Sequence, residues 1–389
     1  MILLEKPFIS DLFKNTIQKN QFPVIDTPVA REFDLPAQTL FISEEEAVQK
    51  FKENKNSLLY TTSENAINWI SNHLSFTDLP EKINLFKDKC VFRDLLAPAF
   101  PDFFYQEVQL NELSKLSIEN LPKPFIIKPA VGFFSLGVYK VLNNADWPGI
   151  LDRILAEVKT ISHLYPNEVL DIHKWIIEEC IQGTEFAMDA YFDDLGEPIL
   201  LGLYKHEFSS ELDVSDRVYL TSKNIFEEYS ESFLAFLKQI GTLTNLKNFP
   251  VHVEVRVNES GKLTPIEVNP LRFGGWCTTA DMTTHAYGFN PYEYLLLNKK
   301  PDWKEILKTR AGKVYALVVL DNSTGIEGKQ IASFDYDRMR ARFNKTLDIR
   351  PVDFHKWPVF GFLLIESREE DYEEIEFILK SDLREFITI

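Results

Sequence analysis

Only three cysteines occur in 389 residues, and Cys90, Cys180 and Cys277 stand far apart with no Cys-x-x-Cys spacing. So sparse and odd a set argues against a disulfide framework and fits buried thiols in a reducing compartment. No uninterrupted run of about 18 apolar residues exists, so no membrane-spanning helix is expected. The opening MILLEKPFIS soon turns acidic and proline-bearing. It lacks the basic region and long apolar core of a secretory signal, and a cytoplasmic location is expected. Positive charge is in deficit too: 42 Lys and Arg face 59 Asp and Glu, a formal net charge of −17. That balance argues against a nucleic-acid or anionic-membrane partner, which needs a basic face. It leaves room for a small anion gripped by a few local cations. No Gly-x-Gly-x-x-Gly follows the first strand candidate, so the dinucleotide fingerprint is missing. Neither an internal repeat nor a low-complexity segment is present.

What is present is material for a real core: 45% of the residues are hydrophobic and 26% charged. The length points to two or three domains. Residues 1–84 alternate short apolar runs with helical segments, one capped by Ser10 and another starting near Glu44, which predicts a small open α/β domain around a parallel sheet. Residues 85–300 change rhythm. LFKDKCVFRDLLAPAF reads as helical, KPFIIKPAVGFFSLGVYKV as two strands around Gly132 and Gly137, and a helix follows over 147–164. KWIIEECIQGTEFAMDAYFDDLGEPILLGLYKHEF is strand-rich, 209–224 reads as a polar loop, and a helix spans 226–246. Asn290 is a helix cap with Glu293 placed to complete a capping box. Residues 301–389 return to an αβ rhythm.

One pattern carries chemistry. In VHVEVRV, four valines alternate with His252, Glu254 and Arg256, the period of a half-buried strand. NESGK then turns the chain, and PIEVNPLRFGG carries Glu267 and Asn269 two residues apart. A two-residue turn at Ser260-Gly261 sets Glu254 directly opposite Glu267, with Asn269 on the same face. Two opposed carboxylates repel unless a cation lies between them, and Mg²⁺ favours a few carboxylate oxygens together with phosphates and water. Taken alone, the same hairpin also reads as a solvated polar face, and an odd loop would shift its register.

In chain order the motifs resemble the ATP-grasp superfamily. A KDKC run supplies Lys89, IIKPAVGFFSLGV supplies Lys128, EECIQGTEFAMD supplies Glu178, Cys180, Ile181 and Glu185, and the hairpin supplies Glu254, Glu267 and Asn269. The resemblance spans residues 85–298. It implies an ATP-grasp fold with an N-terminal open α/β pre-ATP-grasp domain and a small C-terminal α/β subdomain. Lys89 and Lys128 would contact ATP phosphates, and Glu178, the Cys180 and Ile181 backbone and Glu185 the adenine and ribose. Glu254, Glu267 and Asn269 would bind Mg²⁺ or Mn²⁺. Phe133, Phe134 and the Cys180 side chain read as packing. His206 and His252 read as polar-face histidines, with His206 in reach of a phosphate or substrate. Many relatives have Asn-Pro-Arg, whereas this chain has Asn-Pro-Leu-Arg. Arg272 is the candidate for gripping a substrate carboxylate and, with Lys128, for catalysis. The implied activity is an ATP-dependent ligase: a carboxylate is activated as an acyl phosphate and joined to an amine. A bicarbonate-activating enzyme akin to biotin carboxylase, though without a biotin-attachment Met-Lys-Met, and a non-catalytic ATP-binding module stay open. A homodimer is expected by analogy.

Overall fold

The computed structural model describes residues 1–132, 137–161, 171–210 and 216–389. Phe133 and Phe134, part of the expected 209–224 loop and the end of the helix expected to reach Leu164 lie outside the described residues.

Strands β1 (Ile2–Leu3), β2 (Val24–Ile25), β3 (Phe41–Ile42) and β4 (Tyr60–Thr61) form a parallel sheet in the order β3-β2-β1-β4. Helices return the chain between them, as parallel pairing requires. The helix Asp11–Asn20 begins on Ser10, whose Oγ accepts the Phe13 N–H at 3.2 Å. The helix Glu44–Glu53 begins with a full capping box between Ser43 and Glu46. The stretch after this sheet reads as one helical run, but Asp88 breaks it into Leu79–Lys87 and Lys89–Leu96. Asp88 adopts an extended backbone, and its Oδ1 accepts from the N–H groups of Cys90 and Val91. The break puts Lys89 at the first position of a new helix.

Strands β5 (Tyr105–Gln109), β6 (Phe125–Val131), β7 (Tyr139–Val141) and β8 (Asp171–Glu179) make an antiparallel sheet, order β5-β8-β6-β7. The helix Trp147–Ile161 covers it, and Phe125, Ile127, Trp147, Ile154 and Trp175 share one core. A larger sheet follows. It contains β9 (Thr184–Phe192), β10 (Pro198–Glu207), β11 (Val218–Ser222), β12 (Phe249–Val257), β13 (Leu263–Pro270) and β14 (Lys313–Asp321). Next along the chain come β15 (Ser333–Phe334), β16 (Thr346–Pro351), β17 (Val359–Arg368) and β18 (Ile387–Thr388). The eight-stranded order is β13-β12-β9-β10-β11-β14-β17-β16, while β15 and β18 form a small ribbon.

The strands of the tail therefore continue the sheet that carries the hairpin. Alternation gives this sheet two cores. Val218, Leu220, Ala316 and Val318 face one, while Leu317, Phe362 and Leu364 face the other. Strand β11 corrects the polar-loop reading of 209–224: Val218 and Leu220 are buried between β10 and β14, and the next helix starts at Lys223. The capping box expected at Asn290 is only half made. Asn290 Oδ1 accepts from Tyr292 and Glu293 N–H, but the Glu293 carboxylate pairs with Lys299 and Lys19. All three cysteines are free; Cys90 and Cys277 are buried and Cys180 half-buried. Among the described residues no helix is long and apolar enough to cross a membrane.

Candidate functional site

Glu254 on β12 faces Glu267 on β13, and His252 faces Asn269. The register arises differently from the two-residue turn expected. Asn258 N–H donates to Lys262 O, and its Oδ1 accepts from Ser260 and Lys262 N–H, so the turn is odd, Glu259-Ser260-Gly261. Gly261 takes the left-handed conformation this turn needs, φ +79°. A β-bulge then leaves Ile266 unpaired, between Glu254↔Glu267 and Val255↔Pro265. Odd turn and extra residue cancel, and the two glutamates meet. The bulge has a fixed partner: Arg93, on the helix Lys89–Leu96, donates through Nη1 to Pro265 O at 2.7 Å and through Nη2 to Ile266 O at 3.4 Å.

Burial and then the charge of Glu267 push the Glu254 carboxyl up from its ordinary range. Burial alone would push Glu267 up as well, but Lys89 and then Lys87 hold it down. Lys89 Nζ stands 3.7 Å from Glu267 Oε2 and donates to Gly132 O at 3.4 Å. Asn269 is buried and donates from Nδ2 to Glu267 Oε1 at 3.1 Å, so its Oδ1 is the oxygen it could offer a cation. Behind the pair, His252 Nδ1 lies 2.7 Å from Asp189 Oδ1, and its Nε2 is 3.6 Å from Glu254 Oε1. Burial opposes protonation of His252, but Asp189 and then Glu254 outweigh it and raise the imidazole to about 9. Asp189, fully buried on β9, also accepts the Gly274 N–H at 3.0 Å, and its Oδ2 has no partner among the described residues.

Lys128 on β6 reaches Glu178 on β8, Nζ to Oε2 at 2.6 Å, while Arg93 Nε holds Glu178 Oε1 at 2.5 Å. Burial would raise Glu178; Arg93 and then Lys128 reverse that and hold it at about 2. Both oxygens of the expected nucleotide ligand Glu178 are thus taken by cations. Arg272 stands apart from this group. Its Nη2 donates to Glu64 Oε1 at 2.9 Å and its Nη1 to Phe273 O at 2.9 Å. Glu64 is shared with Lys87, Nζ to Oε2 at 2.5 Å.

Glu185 on β9 joins a third group. Its Oε1 lies 3.1 Å from His206 Nδ1, and its Oε2 accepts from Arg256 Nε and Nη2 at 3.0 and 2.9 Å. Arg256 Nη1 also donates to Ile181 O at 2.8 Å. The Cys180 N–H donates to Pro124 O, so its carbonyl, bonded by the exposed Gln182 amide, is the group on offer there. Arg93, Lys87, Glu64, Asp189, His252 and Arg256 were not singled out as functional from the sequence. His252 and Arg256 had a local signal, their place with Glu254 on the polar face of β12.

Among the described residues no three His, Cys, Asp or Glu side chains form a metal cage. The donor set here is two opposed carboxylates and one amide oxygen, which is what Mg²⁺ takes when phosphates and water complete its shell. The upward push on Glu254, burial first and Glu267 second, marks a charge deficit that a divalent cation would fill.

An ATP-grasp domain family model matches residues 121–280. A search of curated protein sequences finds no match. Among solved structures, an L-amino acid ligase from Bacillus licheniformis superposes with a TM-score of 0.67 at 17% identity, covering 99% of this chain and 96% of that one. An N5-carboxyaminoimidazole ribonucleotide synthetase from Thermotoga maritima gives 0.61 at 14% identity, covering 96% of each chain. A biotin carboxylase from Campylobacter jejuni gives 0.61 at 12%, covering 94% of this chain and 87% of that one. Residues 121–280 belong to the ATP-grasp superfamily, and the chain as a whole has the ATP-grasp fold.

Proposed function

We propose that this protein is an ATP-dependent ligase that activates a small carboxylate as an acyl phosphate and transfers the acyl group to an amine, releasing ADP and phosphate. The observation that carries this reading is the half-buried Glu254–Glu267 pair, with Asn269 beside it and Lys89 at 3.7 Å from Glu267. Glu254, Glu267 and Asn269 would hold Mg²⁺ or Mn²⁺, which supplies charge neutralisation for the nucleotide phosphates. The chain's own residues do the rest. Lys89 and Lys128 screen phosphate charge as compact cations. Glu178, clamped by Arg93, keeps Lys128 aimed. Glu185 faces the ribose, and the Cys180 and Ile181 backbone the adenine. Arg272 grips the carboxylate to be activated. It can do so without stranding Glu64, because Lys87 holds Glu64 too. No protein nucleophile is required, since orienting two substrates and screening charge lower such a barrier.

Phosphate release from Mg-ATP, measured with pools of amino acids, other small acids and bicarbonate, tests this reading. Release that needs both a carboxylate and an amine is the expected result. Release with bicarbonate alone would replace the ligase by a bicarbonate-activating enzyme. Nucleotide binding without stimulated release by any pool would leave a non-catalytic module.

A further inference from the structure

Arg350, on β16, presents an arrangement that the reading above does not use. Its Nε and Nη2 are buried and have no hydrogen-bond acceptor among the described residues. These two nitrogens form one edge of the guanidinium, the edge that takes both oxygens of a carboxylate in parallel. Elsewhere in this chain the same edge is filled that way. Arg31 donates from Nε and Nη2 to Asp26 at 2.6 and 2.7 Å, and Arg217 to Asp321 at 2.8 and 2.9 Å. In Arg350 the opposite nitrogen, Nη1, is the one engaged, 3.4 Å from Asp281 Oδ2 and 3.5 Å from Trp276 O. Asp348 Oδ2 lies 3.6 Å from Nε, beyond hydrogen-bonding reach. A buried donor left without an acceptor is costly, and one edge with two of them calls for a bidentate anion.

The surroundings describe that anion's other end. Phe8 and Phe362 have their rings 5.8 and 5.7 Å from the Arg350 guanidinium carbon. Trp276 stacks on Phe8 at 6.0 Å, and Trp357 meets Trp276 edge-on at 5.2 Å. Trp357 is 42% exposed, so this aromatic wall opens to solvent. Trp276 and Cys277 both hold left-handed backbones, φ +56° and +58°. For residues with a side chain that is a strained conformation, of the kind that collects at ligand sites. The loop bearing Trp276 follows directly from Asn269, and Asp189 ties its Gly274 to His252 beside Glu254. Arg350 is thus joined to the acidic pair through Nη1 and the Trp276 loop by a short chain of contacts.

We propose that Arg350 receives the free carboxylate of the amine-bearing co-substrate, an α-amino acid whose apolar or aromatic side chain lies against Phe8, Trp276 and Trp357. The co-substrate role rests on the ligase reading; the carboxylate receptor does not. The test therefore reads binding apart from turnover. Tryptophan fluorescence of the full chain is titrated with L-phenylalanine and with L-phenylalaninamide, which keeps the ring and amine and lacks the carboxylate. The wild-type protein should bind L-phenylalanine at least about 10-fold more tightly than the amide, the discrimination of a bidentate charge-assisted contact. Arg350→Lys keeps the charge and removes the fork, and should erase most of that preference. Asp348→Asn should keep it. Equal binding of acid and amide by the wild type, no binding of either, or an unchanged preference in Arg350→Lys would overturn the proposal. If the preference holds but no pool of carboxylate and amine stimulates phosphate release, the ligase reading fails and the receptor stands.

Discussion

Glu178 and Glu254 are the same residue type, the first buried and the second half-buried, and their surroundings push them in opposite directions. Glu178 sits between Arg93 and Lys128, and its carboxyl is held at about 2 despite burial. Glu254 sits opposite Glu267, and burial and that charge push its carboxyl up. A carboxylate whose oxygens are both taken by buried cations is a finished piece of the fold. One that faces another carboxylate, with His252 no nearer than 3.6 Å, would be completed by a further cation from outside. The comparison separates what holds this site together from what the site is built to hold.

The largest effect should come from breaking the unfinished half. Glu267→Ala should lower Mg-ATP turnover at least about 1000-fold, as removal of a centre of charge stabilisation does. It should leave the protein folded, because the like-charge contact with Glu254 disappears along with the longer contact to Lys89. A loss of folding in step with the loss of turnover would erase the contrast with Glu178. In the finished half, Glu178→Gln should lower the unfolding free energy by about 3 kcal/mol in chemical denaturation, since it strands Arg93 and Lys128 in the interior.

The contrast also has a pH signature. Glu178 and Glu64 are both depressed to about 2 from an ordinary 4.5. In each, burial opposes the shift and the paired cations outweigh it, Arg93 first for Glu178 and Lys87 first for Glu64. A depressed carboxyl stabilises the fold fully above its unfolded value and loses that contribution as pH falls through its folded value. Melting temperatures should therefore decline between pH 4.5 and about 2, and Glu178→Gln should decline less steeply there. The smallest effect sharpens the turn. Gly261→Ala meets no steric obstacle but must hold φ +79°, and should cost about 1 kcal/mol of stability without changing turnover.

The hairpin was legible because its valines alternate without interruption, and the N-terminal parallel sheet because short apolar runs alternate with helical segments, the first of them capped by Ser10. The meeting of Glu254 with Glu267 was also readable, but two unread features cancelled to produce it. The odd turn is fixed by the Asn258 side chain, and the bulge at Ile266 by Arg93, which lies far away in sequence. Strand β11 was hidden because five residues in a polar stretch show too short an alternation to outweigh their neighbours. The partners of Glu178, Glu64 and Arg272 could not be read at all. Each ion pair joins segments that come together only in the folded chain, Arg272 with Glu64 across 208 residues.

The most direct test of the central claim is Mn²⁺ binding followed by electron paramagnetic resonance in the presence of ADP. Wild-type protein should remove the free Mn²⁺ signal well beyond what ADP alone removes. A folded Glu254→Gln/Glu267→Gln variant should remove no more of it than ADP alone does. If the double variant sequestered Mn²⁺ as tightly as the wild type, the cation would lie elsewhere, and the opposed glutamates would be no metal site.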